Sequence, residues 1–387
     1  MSLAVAHARK PALALSSFVS RSLERRDYVV DVVRGLAIAG MVLVNGAPPT
    51  ESIYAPLVHA PWHGWTLADT IFPLFLFIVG LSVTFSLKPG RTSPDTYWRI
   101  VRRTLVLIAI SLVLMNFPYY ELHKLHVTGV LTQIAVCYLV VALLYLHTTW
   151  RAQAVLIVAI WLVHWALLAL LEVPGFGPGI LTPDGNASRY VDQLLLGPHS
   201  QAYYGEIETS GVLAILSSVT TTLMGLLTGM WLRSKADLAG KIAALFTAGF
   251  ALLVLGHAWS LVLPINKAMW TGSYVAVTAG ISLQILAAGY WVMELRGHKS
   301  WAKPLQIAGV NALAFYVLSQ GIQRILVYGR IPGGDGTPVR LRYVIYEHWL
   351  APSLPGKPGA LAYACTLLLL CFLAVAVLHR KRIFIKL

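Results

Sequence analysis

Runs of about 20 predominantly apolar residues recur along most of this chain, and that is the length a helix needs to cross a bilayer. About ten such runs can be marked, at residues 30 to 47, 67 to 87, 101 to 118, 127 to 147, 153 to 172, 211 to 232, 240 to 262, 270 to 293, 305 to 326 and 358 to 379. In lipid only helices and closed barrels satisfy their own backbone, so the pattern predicts an all-α, polytopic membrane helix bundle in a lipid bilayer. Composition agrees, with 57% hydrophobic and only 12% charged residues. A soluble domain carries roughly 25% charged residues, so an ordinary soluble fold is excluded, and so is a disordered chain.

The charge is strongly basic, with 30 Lys and Arg against 16 Asp and Glu, a formal net charge of +14. In a polytopic protein this excess reports loops held in the cytoplasm rather than a nucleic-acid partner. With the N-terminus inside, 21 of the basic residues fall on cytoplasmic segments and eight on outer ones, with Arg34 within the first span. Both termini are therefore predicted to be cytoplasmic. Residues 1 to 29 read as a mobile cytoplasmic tail. Residues 30 to 387 read as one transmembrane domain, with outer loops near 48 to 66, 173 to 210 and 327 to 357. The three cysteines, Cys137, Cys365 and Cys371, lie in apolar runs and form no disulfide framework or CxxC spacing.

Ionisable groups inside apolar spans are costly and usually face the bundle interior or a water-filled path. The first span reads DVVRGLAIAGMVLVN and holds Asp31, Arg34 and Asn45. At about 100° per residue, Arg34 lies about 300° and Asn45 about 320° from Asp31, so all three share one helix face. Asn45 also lies about 21 Å along the axis from Asp31 at about 1.5 Å per residue. Two readings fit this stripe: an ion pair at i, i+3 with an interhelical Asn hydrogen bond, or a polar route across the membrane. The next loop brings His59, Trp62, His63, Trp65 and Asp69 just before a Phe-rich span. A histidine can act as a base near neutral pH, and a carboxylate can fix its tautomer, which makes His59 and Asp69 a candidate pair. His59 and His63 lack the third ligand and the HExxH pattern of a zinc site, so no metal is expected. From the residues alone, an enzyme and a sugar transporter both fit.

Several segments resemble the heparan-alpha-glucosaminide N-acetyltransferases and their bacterial membrane homologues. They are VDVVRGLAIAGMVLVN (30 to 45), HAPWHGWTLADTIFPLFLFIVG (59 to 80), TGVLTQIAVCYLVVA (128 to 142), YVDQLLLG (190 to 197), PINKAMWTGSYV (264 to 275) and GVNALAFYV (309 to 317). The first segment is also similar to the wider transmembrane acyltransferase superfamily. The resemblance implies a membrane-bound N-acetyltransferase that moves an acetyl group from cytosolic acetyl-CoA to an amino sugar on the outer side. It places the catalytic histidine at His59, its partner asparagine at Asn45 and the acidic positions at Asp31 and Asp69. The outer loops depart from the animal enzymes in length and lack cysteines. That points to glucosamine or a cell-wall or chitin-derived amino sugar in a bacterial inner membrane, and a homodimer is compatible with it.

On this reading His59, oriented by Asp69, removes the proton of the acceptor amine, and Asn45 stabilises the oxyanion. An acetyl-His59 route is the alternative to direct transfer. Asp31 and Arg34, with the basic residues Arg102, Arg103, Arg233 and Lys235, are the expected acetyl-CoA contacts. Trp62, Asn266 and Lys267 are the expected acceptor contacts. The competing class is a sugar or amino-sugar transporter that uses Asp31, Arg34 and Lys267 as binding charges.

Overall fold

The computed structural model describes residues 27–48, 52–90, 92–332 and 337–385. Almost all of the expected cytoplasmic tail lies outside the described residues. Twelve helices carry the architecture: α1 (Tyr28–Asn45), α2 (Leu67–Ser86), α3 (Pro94–Asn116), α4 (Val130–His147), α5 (Trp150–Leu170), α6 (Ala187–Leu196), α7 (Val212–Leu232), α8 (Leu238–Trp259), α9 (Gly272–Tyr290), α10 (Lys303–Val310), α11 (Ala312–Tyr328) and α12 (Lys357–Arg380). The only sheet among the described residues is a two-stranded hairpin, β1 (Arg330–Pro332) with β2 (Pro338–Arg340). The all-α bundle expected from the apolar runs is therefore present.

Two of the expected spans need correction. Eight helices among the described residues are long and apolar enough to cross a membrane, with a ninth if α10 and α11 count as one. The run at 305 to 326 is not one straight helix, because α10 and α11 meet at Asn311 with a bend of 72°. The run at 101 to 118 is the second part of a longer helix, α3, whose first half carries Asp95, Arg99, Arg102 and Arg103. That charge keeps it out of the apolar set. The expected loop at 173 to 210 contains α6, and the one at 327 to 357 contains the hairpin and a helical turn at Leu341–Leu350.

Contacts between connections sort them onto two ends of the bundle. At one end, Trp62 Nε1 donates to the Leu181 carbonyl, the Val127 amide donates to the His199 carbonyl, and Asn266 reaches the Trp62 carbonyl. At the other, Tyr28 donates to the Lys299 carbonyl, and Tyr290 donates to Asp27, which caps α1. Close helix contacts between these ends depend on glycine, as is usual where small residues let backbones approach in membrane bundles. A Cβ at Gly309 would lie 1.8 Å from the Asp31 carbonyl oxygen, and one at Gly35 would lie 1.8 Å from that of Leu305. Gly80 and Gly225 make the matching contact between α2 and α7.

The clashing atoms at Gly309 are backbone, so no rotamer change relieves them. We expect Gly309→Ala to push α1 and α10 apart and lower stability by about 1 to 3 kcal/mol or more, as overpacking does. Thermal unfolding of the detergent-solubilised protein, followed by size-exclusion chromatography, measures it.

Candidate active site

Asp69 sits in the first turn of α2, where a carboxylate caps the free amides of the helix start. Its Oδ2 accepts from the Thr66 amide at 3.1 Å, the Thr66 hydroxyl at 3.2 Å and the Ala60 amide at 2.9 Å. Its Oδ1 lies 2.7 Å from His59 Nδ1 and 3.2 Å from Lys267 Nζ. Lys267 Nζ is in turn 3.0 Å from His59 Nδ1. The expected pair is thus formed, and Lys267 completes a triangle with it. Asp69 is only 1% exposed, whereas the His59 side chain is 45% exposed, and its hydrogen bonds among the described residues all run through Nδ1.

Two sequence features place this carboxylate. Thr66 and Asp69 form a capping box, which fixes the first turn. Pro73 stands four residues after Asp69 and has no amide hydrogen, so the Asp69 carbonyl lacks its helical donor. The Tyr274 hydroxyl, from α9, donates to that carbonyl at 2.6 Å in a buried setting.

Lys267 belongs to the turn between α8 and α9. Asn266 is fully buried, and its amide is used inside the protein: Nδ2 donates to the Trp62 carbonyl at 2.9 Å and Oδ1 accepts the Met269 amide at 2.9 Å. It clamps the two connections together rather than presenting its amide to the surface. Trp270 has φ of 53°, a left-handed conformation that is unfavourable for a bulky residue. Its ring is fully buried and Nε1 donates to Thr221 at 3.2 Å. Burial pushes the Lys267 ammonium below its ordinary value, and the Asp69 carboxylate opposes that shift. Trp62 is half-buried and fastened to Leu181, while Asn45 is exposed at the end of α1. Among the described residues no hydrogen bond joins Asn45 to the triangle.

A cavity of about 700 Å³ opens inside the bundle. Its lining includes Asp27, Asp31, Arg34, Ser82, Ser86 and Arg103 as well as Met41, Val130 and Leu131. Asp27 and Met41 are 14 residues apart in sequence, or about 21 Å along a helix, so the cavity follows α1 for most of its length. Asp31 and Arg34 form the ion pair that the spacing allows, and Arg34 also donates to Ser82 Oγ at 2.8 Å and to the Gly309 carbonyl at 3.4 Å. Arg34 therefore ties α1 to α2 and α10. Arg103 instead packs over the Tyr138 ring at 4.3 Å, and its buried Nε has no hydrogen-bond partner. Arg233 lies over Phe85, another lining residue, while Arg102 and Lys235 are exposed outside the lining.

A second polar cluster lies at the His59 end. Glu208 Oε2 accepts from the Thr128 hydroxyl at 2.6 Å and lies 3.6 Å from His126 Nε2. Asp192, on α6, is 1% exposed and accepts the Val212 amide at 2.7 Å. Burial pushes the Asp192 carboxyl up to about 7, Glu208 adds to the shift, and the Val212 amide opposes it. Sequence reasoning missed this cluster, Tyr274 and Ser82. The signals available were Asp192 inside YVDQLLLG and Pro73 four residues after Asp69.

Helices of spanning length, a cavity along one of them and an exposed histidine held by a buried carboxylate define a multi-pass membrane protein with an enzyme-like site. Residues 26–263 match the family model described as "Heparan-alpha-glucosaminide N-acetyltransferase, catalytic", and the chain belongs to that family. It is 31% identical over 363 residues to the heparan-alpha-glucosaminide N-acetyltransferase of Mus musculus, covering 77% of this chain and 54% of that protein. It is 30% identical over 359 residues to the Homo sapiens enzyme of the same name, covering 76% of this chain and 53% of that protein. The chain spans about half the length of these relatives.

The raised Asp192 gives a pH prediction. A carboxyl held near 7 when folded, against about 4 when unfolded, binds more protons in the native state between those values, so stability falls as pH rises from about 4 to about 7. Asp192→Asn keeps an oxygen for the Val212 amide and removes the titration. The variant should differ little from wild type at or below about pH 4 and gain on the order of a few kcal/mol above about pH 7. Melting temperatures across that range measure the difference.

Proposed function

We propose that this chain is a transmembrane N-acetyltransferase that moves an acetyl group from cytosolic acetyl-CoA to the amine of an amino sugar on the other side of the membrane. The observation that carries the reading is the setting of His59: its Nδ1 is held by a buried carboxylate while the side chain is 45% exposed, which leaves Nε2 for an acceptor. Family membership supports the reaction class. The relatives' printed names supply the glucosaminide acceptor type.

An acceptor ammonium has no lone pair, so it first releases a proton to the outer water. The amine then attacks the thioester carbonyl, a C–N bond forms and the C–S bond breaks. His59 Nε2 takes the second amine proton and returns it to the leaving thiolate. The products are the amide, the thiol and the one proton released at the start. Asn45, at the end of α1, supplies an amide N–H to the oxyanion. Direct transfer uses one assembled site and gains from proximity, so it is preferred to an acetyl-His59 route.

The donor site is assigned to the cavity along α1. Its lining of Ile38, Val79, Leu107 and Ile134 suits the hydrocarbon parts of an extended pantetheine arm, Ser82 and Ser86 offer hydroxyls to its amides, and the partnerless Nε of Arg103 is a free donor. Arg103 and Arg233 are the phosphate contacts, whereas Arg34 is engaged with Asp31, Ser82 and Gly309. A transporter reading gains one feature, the helix break at Asn311, since broken helices often form transport sites. The Asn311 amide there is already engaged, donating to the Ile383 carbonyl at 3.3 Å and accepting the Ile385 amide at 3.3 Å.

Purified protein given labelled acetyl-CoA and glucosamine should form N-acetylglucosamine. His59→Ala should lower kcat by about 10² to 10⁴-fold, as loss of a general base does. Asn45→Ala should lower it by about 10² to 10³-fold. Uptake of labelled sugar into proteoliposomes without any acetyl transfer overturns the reading in favour of transport. Arg103→Ala should raise KM for acetyl-CoA by about 10 to 100-fold, the loss of one charge-assisted hydrogen bond, with a smaller change in kcat. Steady-state kinetics with varied donor separates the two parameters.

A further inference from the structure

Three atoms from three segments meet within hydrogen-bond distance: His59 Nδ1, Asp69 Oδ1 and Lys267 Nζ, at 2.7, 3.0 and 3.2 Å. A ring nitrogen has one in-plane direction for a hydrogen bond, so Nδ1 serves one of these partners at a time. When Nδ1 carries the proton it donates to Asp69, and Nε2 is left with the lone pair a base needs. When Nδ1 is bare it accepts from Lys267, and Nε2 carries the proton. The lysine is therefore placed to bias the state of the histidine, not merely to neutralise a carboxylate.

We propose that Lys267 is a positioning residue for His59, whose ammonium balances the Asp69 carboxylate and so keeps the imidazole free to take up and release a proton. The inference rests on the proposed role of His59 as the base. Without Lys267 the imidazole faces an uncompensated buried carboxylate, which favours the imidazolium. The groups facing His59 are Asp69 from α2 and Lys267 from the α8/α9 turn. Tyr274 from α9 contacts the Asp69 carbonyl, and His63 of the same loop is turned to Asn266.

The frame around Lys267 is consistent with an aimed side chain. Asn266 ties its turn to the His59 loop, and Thr271 closes the turn by donating to the Pro264 carbonyl at 3.0 Å. The left-handed Trp270 is a locally unfavourable conformation maintained by full burial of its ring. Such outliers persist where the surroundings over-determine them, and they cluster at functional sites. Burial works against the Lys267 charge and the Asp69 carboxylate, 3.2 Å away, is the contact that favours it.

The test uses the full-length protein in detergent, with Lys267→Met and Lys267→Arg, each first confirmed folded by its melting temperature. Carbethoxylation of His59 by diethyl pyrocarbonate, read by peptide mass spectrometry, follows the neutral imidazole whether or not the protein is active. In Lys267→Met the midpoint of this reaction should move up by about one pH unit or more, and the acid limb of kcat/KM should move with it. Lys267→Arg should restore the wild-type midpoint. An unchanged midpoint in Lys267→Met overturns the proposal, even where activity falls, because a purely structural lysine predicts lost activity at every pH. Full activity in His59→Ala removes the base reading instead, and the carbethoxylation midpoints still decide the role of Lys267 on the imidazole.

Discussion

A carboxylate that is 1% exposed has to be met by donors, and Asp69 draws them from three separate stretches of chain. Thr66 supplies an amide and a hydroxyl, Ala60 an amide, His59 a ring nitrogen and Lys267 an ammonium. Leaving any of these unmade at a buried charge costs more than a typical hydrogen bond contributes. The loop before α2 and the turn before α9 are consequently held against one α2 start. Asn266 adds the backbone link, and Tyr274 fastens the carbonyl that Pro73 leaves open. The site residues converge because one buried charge and one missing amide have to be satisfied.

The opposite end of the bundle depends on a different constraint. Gly35 and Gly309 let α1 and α10 approach until backbone atoms meet, and Arg34 then reaches from α1 to the Gly309 carbonyl and to Ser82. This brings Arg34 and Asp31 to the cavity wall while keeping their charges paired. The break at Asn311 lies two residues beyond Gly309, at the end of that crossing. α10 is held to α1, α11 leaves at 72°, and the chain after α12 returns so that Ile383 and Ile385 meet the Asn311 amide. Ile385 itself lines the cavity.

Much of this was legible in the sequence because apolar length is a local property. Each spanning run announces itself without reference to its neighbours, and the shared helix face of Asp31 and Arg34 follows from helical periodicity alone. The His59 and Asp69 pairing was also legible, since ten residues separate them and a capping position follows. The helix break was not, because residues 305 to 326 are predominantly apolar and Asn311 is an ordinary helix-tolerated residue whose partners lie about 70 residues away in the chain. Asn266 and Lys267 were both read as acceptor contacts, yet the structure uses the Asn266 amide as a clamp and directs Lys267 at the His59 pair. Adjacent polar residues in a turn point in different directions, and only the fold distinguishes them. Asp192 and Glu208 were hidden for the same reason, being 16 residues apart and joined through tertiary packing.

On the proposed reading, the relative placement of cavity and triangle bears on how one active centre would serve two sides of a membrane. The cavity lining reaches Met41, one helical turn before Asn45, or about 6 Å at about 1.5 Å per residue. A donor with phosphates at the Arg103 end has no reason to cross as a whole, since moving multiple charges through an apolar bundle carries a large desolvation cost. The pantetheine arm along Ile38, Val79 and Ile134 carries amides but no charge, and its burial costs far less than that of the phosphates. On the proposed reading the charges stay at one end, the thioester arrives at the other, and the proton shuttled from amine to thiolate in the transfer step passes through His59. The glycine crossing that shapes the cavity and the buried carboxylate that aims the histidine then answer separate requirements of the same reaction. On that reading α1 serves both, since it carries Asp31 and Arg34 on the cavity wall and Asn45 at its far end.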